Sequence, residues 1–71
     1  MNEDTLNTSV RKFLKKVGIT SQREIEKAVR DAESAGSLAG IARIPAKARV
    51  TLEGLDVEIN IDGTIEIAGP R

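Results

Sequence analysis

The order of apolar and polar residues divides the chain into a half with a helical repeat and a half with a strand repeat. In the first half, apolar side chains follow the three- and four-residue spacing of one helical face: Leu6, Val10, Phe13, Leu14 and Val17. This spacing predicts a helix over residues 3–17, with Asn2 or Asp4 as its N-cap. Gly18 is expected to end it, because glycine readily adopts the left-handed conformation that closes helices.

A second helix is predicted over residues 22–35. Ser21 and Glu24 have the spacing of a capping box, in which the hydroxyl and the carboxylate each accept from the other residue's backbone amide. Gly36 is expected to end this helix. The short link at residues 18–20 then predicts a helical hairpin or an angled pair. The apolar face of the second helix consists of Ile25, Ala28, Val29 and Ala32.

From Lys47 onward the apolar period becomes two, which is typical of strands. We predict a three-stranded meander with strands at 47–53, 55–61 and 64–68. A two-residue turn at Glu53 and Gly54 would pair Val50 with Val57 and create one apolar face. The next connection needs an odd number of residues, so we predict a bulge with Gly63 in the left-handed conformation.

The connecting segment 36–47 is predicted to be a loop, with at most one helical turn or a short edge strand. Ile44 precedes Pro45 and should therefore be extended. The complete prediction is one small α+β domain over residues 1–71, with two N-terminal helices packed on a three-stranded antiparallel β-meander. Its predicted core contains Leu6, Val10, Phe13, Leu14, Ile25, Val29, Val50, Leu52, Val57, Ile59 and Ile65.

The composition argues against most enzyme chemistry and against tightly bound metal. The 71 residues include no Cys and no His, so the commonest general base, the thiolate nucleophile and the usual transition-metal ligands are missing. Glu58 and Glu66 are expected side by side on the outer sheet face, but an ion pair of Arg49 with Glu58 is the simpler account. No phosphate-binding glycine motif is present. We therefore predict a protein that is not an enzyme and needs no cofactor or metal.

Charge and hydropathy give little indication of location or partners. Eleven basic and eleven acidic residues balance, so no overall field attracts nucleic acid or anionic lipid. The sequence contains no apolar run long enough to span a membrane and no secretory h-region after its acidic start. We expect a cytoplasmic protein without membrane contact.

Four segments of the sequence form a distinctive set: RKFLKKVG at 11–18, TSQREIEKAVR at 20–30, PAKA at 45–48 and EGLD at 53–56. With these segments, of which the TSQREIEKAVR helix is the most specific, the chain resembles a family of short proteobacterial proteins of unknown function. The resemblance implies a bacterial cytoplasmic protein and transfers no catalytic or binding residue.

Two functional hypotheses remain from the sequence. The preferred one is a non-catalytic protein-binding or adaptor module, which binds another protein or forms a homodimer. Its candidate contact residues are the large aliphatic side chains of the predicted loop, which either cover the core or meet a partner: Leu38, Ile41 and Ile44.

The alternative is nucleic-acid binding through a helix-turn-helix-like pair with a β wing. Its candidate contacts are Arg11, Lys12, Lys15, Lys16, Arg23 and Lys27. The first four also fit a solvated helix end, where the helix dipole favours cations. Acidic residues in the second helix and a pI of about 6.2 make nucleic acid the less favoured partner.

Overall fold

The computed structural model describes residues 1–68. They group into two compact units, the first Met1–Leu38 and the second beginning at Ala39. The first unit contains one α-helix, α1 (Glu3–Ser34). The second contains two β-strands, β1 (Arg43–Thr51) and β2 (Glu58–Glu66). The α+β class is confirmed.

Both ends of α1 are capped. The Asn2 side chain accepts a hydrogen bond from the Thr5 amide at 3.0 Å, as expected of an N-cap. At the other end, Gly36 has φ +78°, and the Ser37 amide donates to the Ala32 carbonyl at 2.9 Å. This pattern is a Schellman motif, in which a left-handed glycine satisfies the last helical carbonyls. The helix start and the stop at Gly36 are therefore confirmed.

The predicted division into two helices is wrong, because α1 runs through Gly18 and Ser21 for 32 residues. A glycine inside a helix costs about 0.5–1 kcal/mol relative to alanine. A break would instead leave up to four carbonyls without intrahelical partners at the new C-terminus and up to four amides at the new N-terminus. Hydrogen bonds are worth about 0.5–1.5 kcal/mol each, so continuity is favoured. Ser21 lies inside the helix and cannot act as an N-cap.

The two strands form an antiparallel ribbon in which Val50 lies opposite Ile59 and Ile44 lies opposite Ile65. The prediction paired Val50 with Val57, so the true register is shifted by two residues. An even shift keeps each side chain on its predicted face, because side chains alternate with a period of two. The connection covers residues 52–57, where Gly54 has φ +87° and the Leu55 amide donates to the Leu52 carbonyl at 3.3 Å.

The predicted second and third strands are one strand, and the predicted bulge is wrong. Asp62 and Gly63 lie inside β2, where Gly63 is directly opposite Ala46. β1 begins at Arg43, four residues earlier than predicted, and so supplies partners for the end of β2. With those partners present, a turn at Asp62 is unnecessary. Ile44 is extended within β1, as its position before proline predicted.

The predicted core is also wrong, since none of the described residues 1–68 is buried. Phe13 is 46% exposed and Ile59 is also 46% exposed. Val29, Val50 and Ile65 are half-buried, and the other eight predicted core residues are exposed. Neither unit builds a core by itself, because a single helix or a two-stranded ribbon is one layer and a core needs two packed layers.

The continuity of α1 predicts that Gly18→Ala stabilises the protein. A β-carbon at Gly18 would meet nothing within 4 Å, so the substitution gains helix propensity without a clash. We expect the free energy of unfolding to rise by about 0.5–1 kcal/mol. Chemical denaturation followed by far-UV circular dichroism, at one fixed protein concentration, measures this change.

Gly36→Ala is the matched control, because Gly36 has φ +78° and the left-handed region is strained for alanine by about 1–2 kcal/mol. It should destabilise the protein. A loss of stability in Gly18→Ala as well would mean that Gly18 ends a helix.

Candidate protein-interaction surfaces

The first candidate surface is an apolar line along α1, which we call the helix stripe. It consists of nine apolar residues and one serine: Leu6, Val10, Phe13, Leu14, Val17, Ser21, Ile25, Ala28, Val29 and Ala32. Most of these side chains are exposed, including Leu14 at 50% and Leu6 at 44%. The stripe continues across Gly18, so it is longer than either of the two predicted helices would have provided.

The second candidate surface is one side of the ribbon, which we call the apolar sheet face. Its side chains come from even positions of β1 and odd positions of β2: Ile44, Ala46, Ala48, Val50, Ile59, Ile61, Gly63 and Ile65. Ile61 is opposite Ala48 and is 56% exposed. Exposed branched side chains in neighbouring rows form the kind of apolar patch that marks interaction sites.

The opposite side of the ribbon is charged, with basic residues on β1 and acidic residues on β2. The Arg43 Nε lies 3.6 Å from the Glu66 Oε2, and the Arg49 Nε lies 3.8 Å from the Glu58 Oε2. All four side chains are solvent-exposed, so each pair contributes about 0–1 kcal/mol. The predicted Arg49–Glu58 ion pair is confirmed, although the residue directly opposite Arg49 is Asn60.

The two carboxylates considered for acid–base chemistry are far apart. Glu58 and Glu66 are the first and last residues of β2. At about 3.3 Å per residue, eight steps separate their Cα atoms by roughly 26 Å. The expectation that they lie side by side is wrong, and the ribbon does not assemble a carboxylate pair from them.

The three candidate contact residues of the predicted loop are distributed over both units. Leu38 is half-buried in the turn that follows α1, and it belongs to the first unit. Ile41 lies in the link before β1 and is 41% exposed. Ile44 belongs to the apolar sheet face, opposite Ile65. Of the three, only Ile44 is part of a regular apolar surface.

The nucleic-acid candidates all lie on one uninterrupted helix, α1, and all six are exposed: Arg11, Lys12, Lys15, Lys16, Arg23 and Lys27. No turn separates the first four from the last two, so the predicted helix-turn-helix is wrong. The first four also lie in the helix interior rather than at its end, so the helix dipole does not explain them.

A polar cluster in the second half of α1 lowers the pKa of Glu26. The Gln22 Nε2 donates to the Glu26 Oε2 at 3.0 Å, and the Arg30 Nη2 donates to the Glu26 Oε1 at 3.3 Å. The Gln22 hydrogen bond has the largest effect on this pKa, and the Arg30 charge lowers it further. Both favour the ionised carboxylate.

A shallow depression of about 350 Å³ lies beside the first turns of α1, lined by Asp4, Thr5, Thr8, Ser9 and Lys12. All its lining residues come from one helix, so no second element encloses it.

Within the described part of the chain, no group of three or more acidic side chains could hold a metal ion. Over the same residues, no helix combines the length and apolar character needed to cross a membrane.

Comparison with models of protein families assigns the chain to one family. A model for a family of unknown function (DUF6494) matches residues 1–68. The chain belongs to that family. Comparison with curated proteins and with solved structures gave no match. Membership in a family of unknown function confirms the coarser part of the resemblance, while the proteobacterial origin, the specific helix motif and the cytoplasmic location stay predictions.

The contact between Gln22 and Glu26 predicts that Gln22→Ala raises the Glu26 pKa toward its ordinary value of 4.5. A lowered folded-state pKa stabilises the helix above the ordinary value, and this contribution is lost as pH falls through the lowered pKa. NMR titration of the Glu26 carboxyl measures the shift. Ser9→Ala, more than four turns away on α1, should leave it unchanged. An unaltered pKa in Gln22→Ala would contradict the contact.

Proposed function

We propose that this protein is a non-catalytic protein-binding module that contacts other polypeptides through the helix stripe and the apolar sheet face. The observation that supports this function is the exposure of its aliphatic side chains, since no residue from Met1 to Ala68 is buried. Burying one large aliphatic side chain is worth about 1.5–3 kcal/mol. Covering a few of them on a partner therefore supplies free energy comparable to the whole stability of a small domain.

The side-chain inventory supports a binding role over catalysis. The sequence has no His and no Cys, and its remaining candidate acid–base pair is separated along β2. The one described carboxylate with a clearly lowered pKa, Glu26, is solvent-exposed and accepts hydrogen bonds from Gln22 and Arg30. A catalytic acid or base usually needs a pKa adjusted by burial in a cleft.

The structure of residues 1–68 does not contain the helix-turn-helix-like pair on which the nucleic-acid hypothesis depended. The hypothesis depended on two helices with a turn between them, and α1 has no such turn. In the second half of α1, the basic residues Arg23, Lys27 and Arg30 are also interleaved with acidic ones, which a phosphate backbone would repel: Glu24, Glu26, Asp31 and Glu33. Nucleic acid remains one outcome that the binding experiment can detect.

The decisive experiment is affinity capture from a lysate of the source organism, using the tagged protein and two charge-matched variants. Ile61→Asp places a carboxylate in the middle of the apolar sheet face, where Ile61 is opposite Ala48. Asn60→Asp adds the same charge one residue away on the charged side, close to Arg49. We expect the wild type and Asn60→Asp to retain the same discrete protein, and Ile61→Asp to lose it. Far-UV circular dichroism checks that both variants keep their secondary structure.

The capture is repeated after nuclease treatment. A bound protein that survives nuclease and depends on Ile61 supports the proposed function. Bound material that disappears with nuclease would assign the chain to nucleic-acid binding instead. Equal retention by Ile61→Asp and the wild type would show that the apolar sheet face is not a binding surface.

A further inference from the structure

We infer that an extended segment of another protein, in which basic and aliphatic residues alternate, joins the ribbon as a third strand along the outer edge of β2. A partner of this kind depends on the proposed protein-binding function and specifies its chemistry at the ribbon. Three features of the second unit support it: the outward backbone groups of β2, a proline on β1, and the acidic side chains beside the outer edge.

The backbone groups of β2 point alternately toward β1 and toward the outer edge. The Ile67 amide donates to the Ala42 carbonyl at 2.8 Å, and the strand register, extended by one residue, places these two residues opposite each other. Hydrogen-bonded pairs recur at every second residue, so the odd positions of β2 bond to β1. The even positions direct their amides and carbonyls outward: Glu58, Asn60, Asp62, Thr64 and Glu66. Among the described residues the sheet has two strands, so no third strand bonds to these groups.

The outer edge of β1 is interrupted by a proline, whereas that of β2 is not. By the same alternation the odd positions of β1 face outward, and Pro45 is one of them. Proline has no amide hydrogen to donate, and prolines on edge strands obstruct the addition of another strand. Thr64, directly opposite Pro45, keeps its amide. The outer edge of β2 is therefore the better template for an added strand.

Acidic side chains lie along this edge on the charged side of the ribbon. Glu58, Asp62 and Glu66 are all exposed, and β2 contains no basic residue. Opposite charges on neighbouring strands attract, and like charges directly opposite each other are destabilising. An added strand with lysine or arginine on this side is therefore favoured over a neutral or acidic one.

The strand β1 already pairs with the inner edge of β2 in this way. On the charged side, Arg43 lies opposite Glu66 and Lys47 lies opposite Asp62. On the other side, β1 contributes aliphatic residues to the apolar sheet face. A strand on the outer edge meets the same two rows of β2, carboxylates on one side and isoleucines on the other. Its own residues therefore alternate between basic and aliphatic.

A second copy of this chain fits the edge less well. Two β2 strands paired over their full length in antiparallel orientation would place Glu58 opposite Glu66, and Asp62 opposite its own copy. The β1 strand of a second copy carries suitable charges, but its outer edge has no amide hydrogen at Pro45. Such head-to-tail pairing would also leave an open edge on every added copy and continue into a fibre. A segment of another protein avoids both problems.

The test uses the full-length, isotope-labelled protein and a synthetic peptide of alternating lysine and valine, equal in length to β2. A matched peptide carries glutamate in place of each lysine. We expect the lysine peptide to bind and to slow hydrogen exchange, followed by NMR, at the even positions of β2. Amides at the odd positions are already bonded to β1 and should change little. Binding should weaken as salt is added, because exposed charges are screened.

Four results would overturn the inference. Equal binding of the two peptides would exclude a basic partner. Binding without slower exchange at the even positions of β2 would exclude strand addition, and slower exchange at the odd positions of β1 would assign the segment to the other edge. Absence of binding would remove the segment altogether. The proposed function would still be decided separately, by the dependence of protein capture on Ile61.

Thr64→Pro removes one outward amide of β2 without removing a bond to β1, because position 64 faces the outer edge. We expect it to weaken binding of the lysine peptide by about tenfold, which corresponds to roughly one hydrogen bond. Thr51→Pro is the matched control on the outer edge of β1, and it should leave binding unchanged. Equal weakening by both substitutions would contradict an added strand on β2.

Asp62→Asn tests the charge without a proline, so it remains informative if Thr64→Pro does not fold. Removing the central carboxylate of the row should weaken the lysine peptide by roughly twofold to fivefold at low salt, the range of one cross-strand charge pair. Asp56→Asn makes the same change in the connection before β2 and should have no effect. Unaltered binding in Asp62→Asn would contradict recognition of basic residues along this edge.

Discussion

The single-layer construction of each unit is the constraint on which the properties of this chain depend. α1 presents one stripe, and the β1–β2 ribbon presents one face. Neither element can enclose its own apolar side chains, because burial requires two surfaces in contact. With 71 residues, no cysteine and no histidine, disulfides and the usual zinc ligands are not available as substitutes. Burial of these side chains therefore depends on a surface that the unit itself does not supply.

The periodicity of the sequence was a good guide to the type of each element and to the face that each residue occupies. The helix start at Glu3, the stop at Gly36 and the even–odd alternation of the ribbon all follow from local patterns. These features depend on contacts within a few residues, or on the two-residue repeat of a strand, which a register shift of two leaves unchanged.

The breaks between elements were not predictable in this way. Gly18 and the Asp62–Gly63 pair have the composition of stops, yet both lie inside regular structure. In each case the surrounding hydrogen bonds outweigh the local preference of a glycine. For β2 those bonds come from residues 43–46, which precede the strand predicted by alternation. The candidate contact residues were misplaced for the same reason. Ile44 was assigned to a loop with Leu38 and Ile41, although it belongs to β1.

The pairing of Gly63 with Ala46 creates a depression in the apolar sheet face. This row carries at most one methyl group, and it lies between the Ile44–Ile65 row and the Ala48–Ile61 row. A β-carbon at Gly63 would meet nothing within 4 Å, so the space above the strand is open. The surface is therefore notched rather than flat. If this face binds a protein as proposed, a protruding side chain of that protein would fit between the isoleucines and reach the backbone, so the face would select for shape as well as for hydrophobicity.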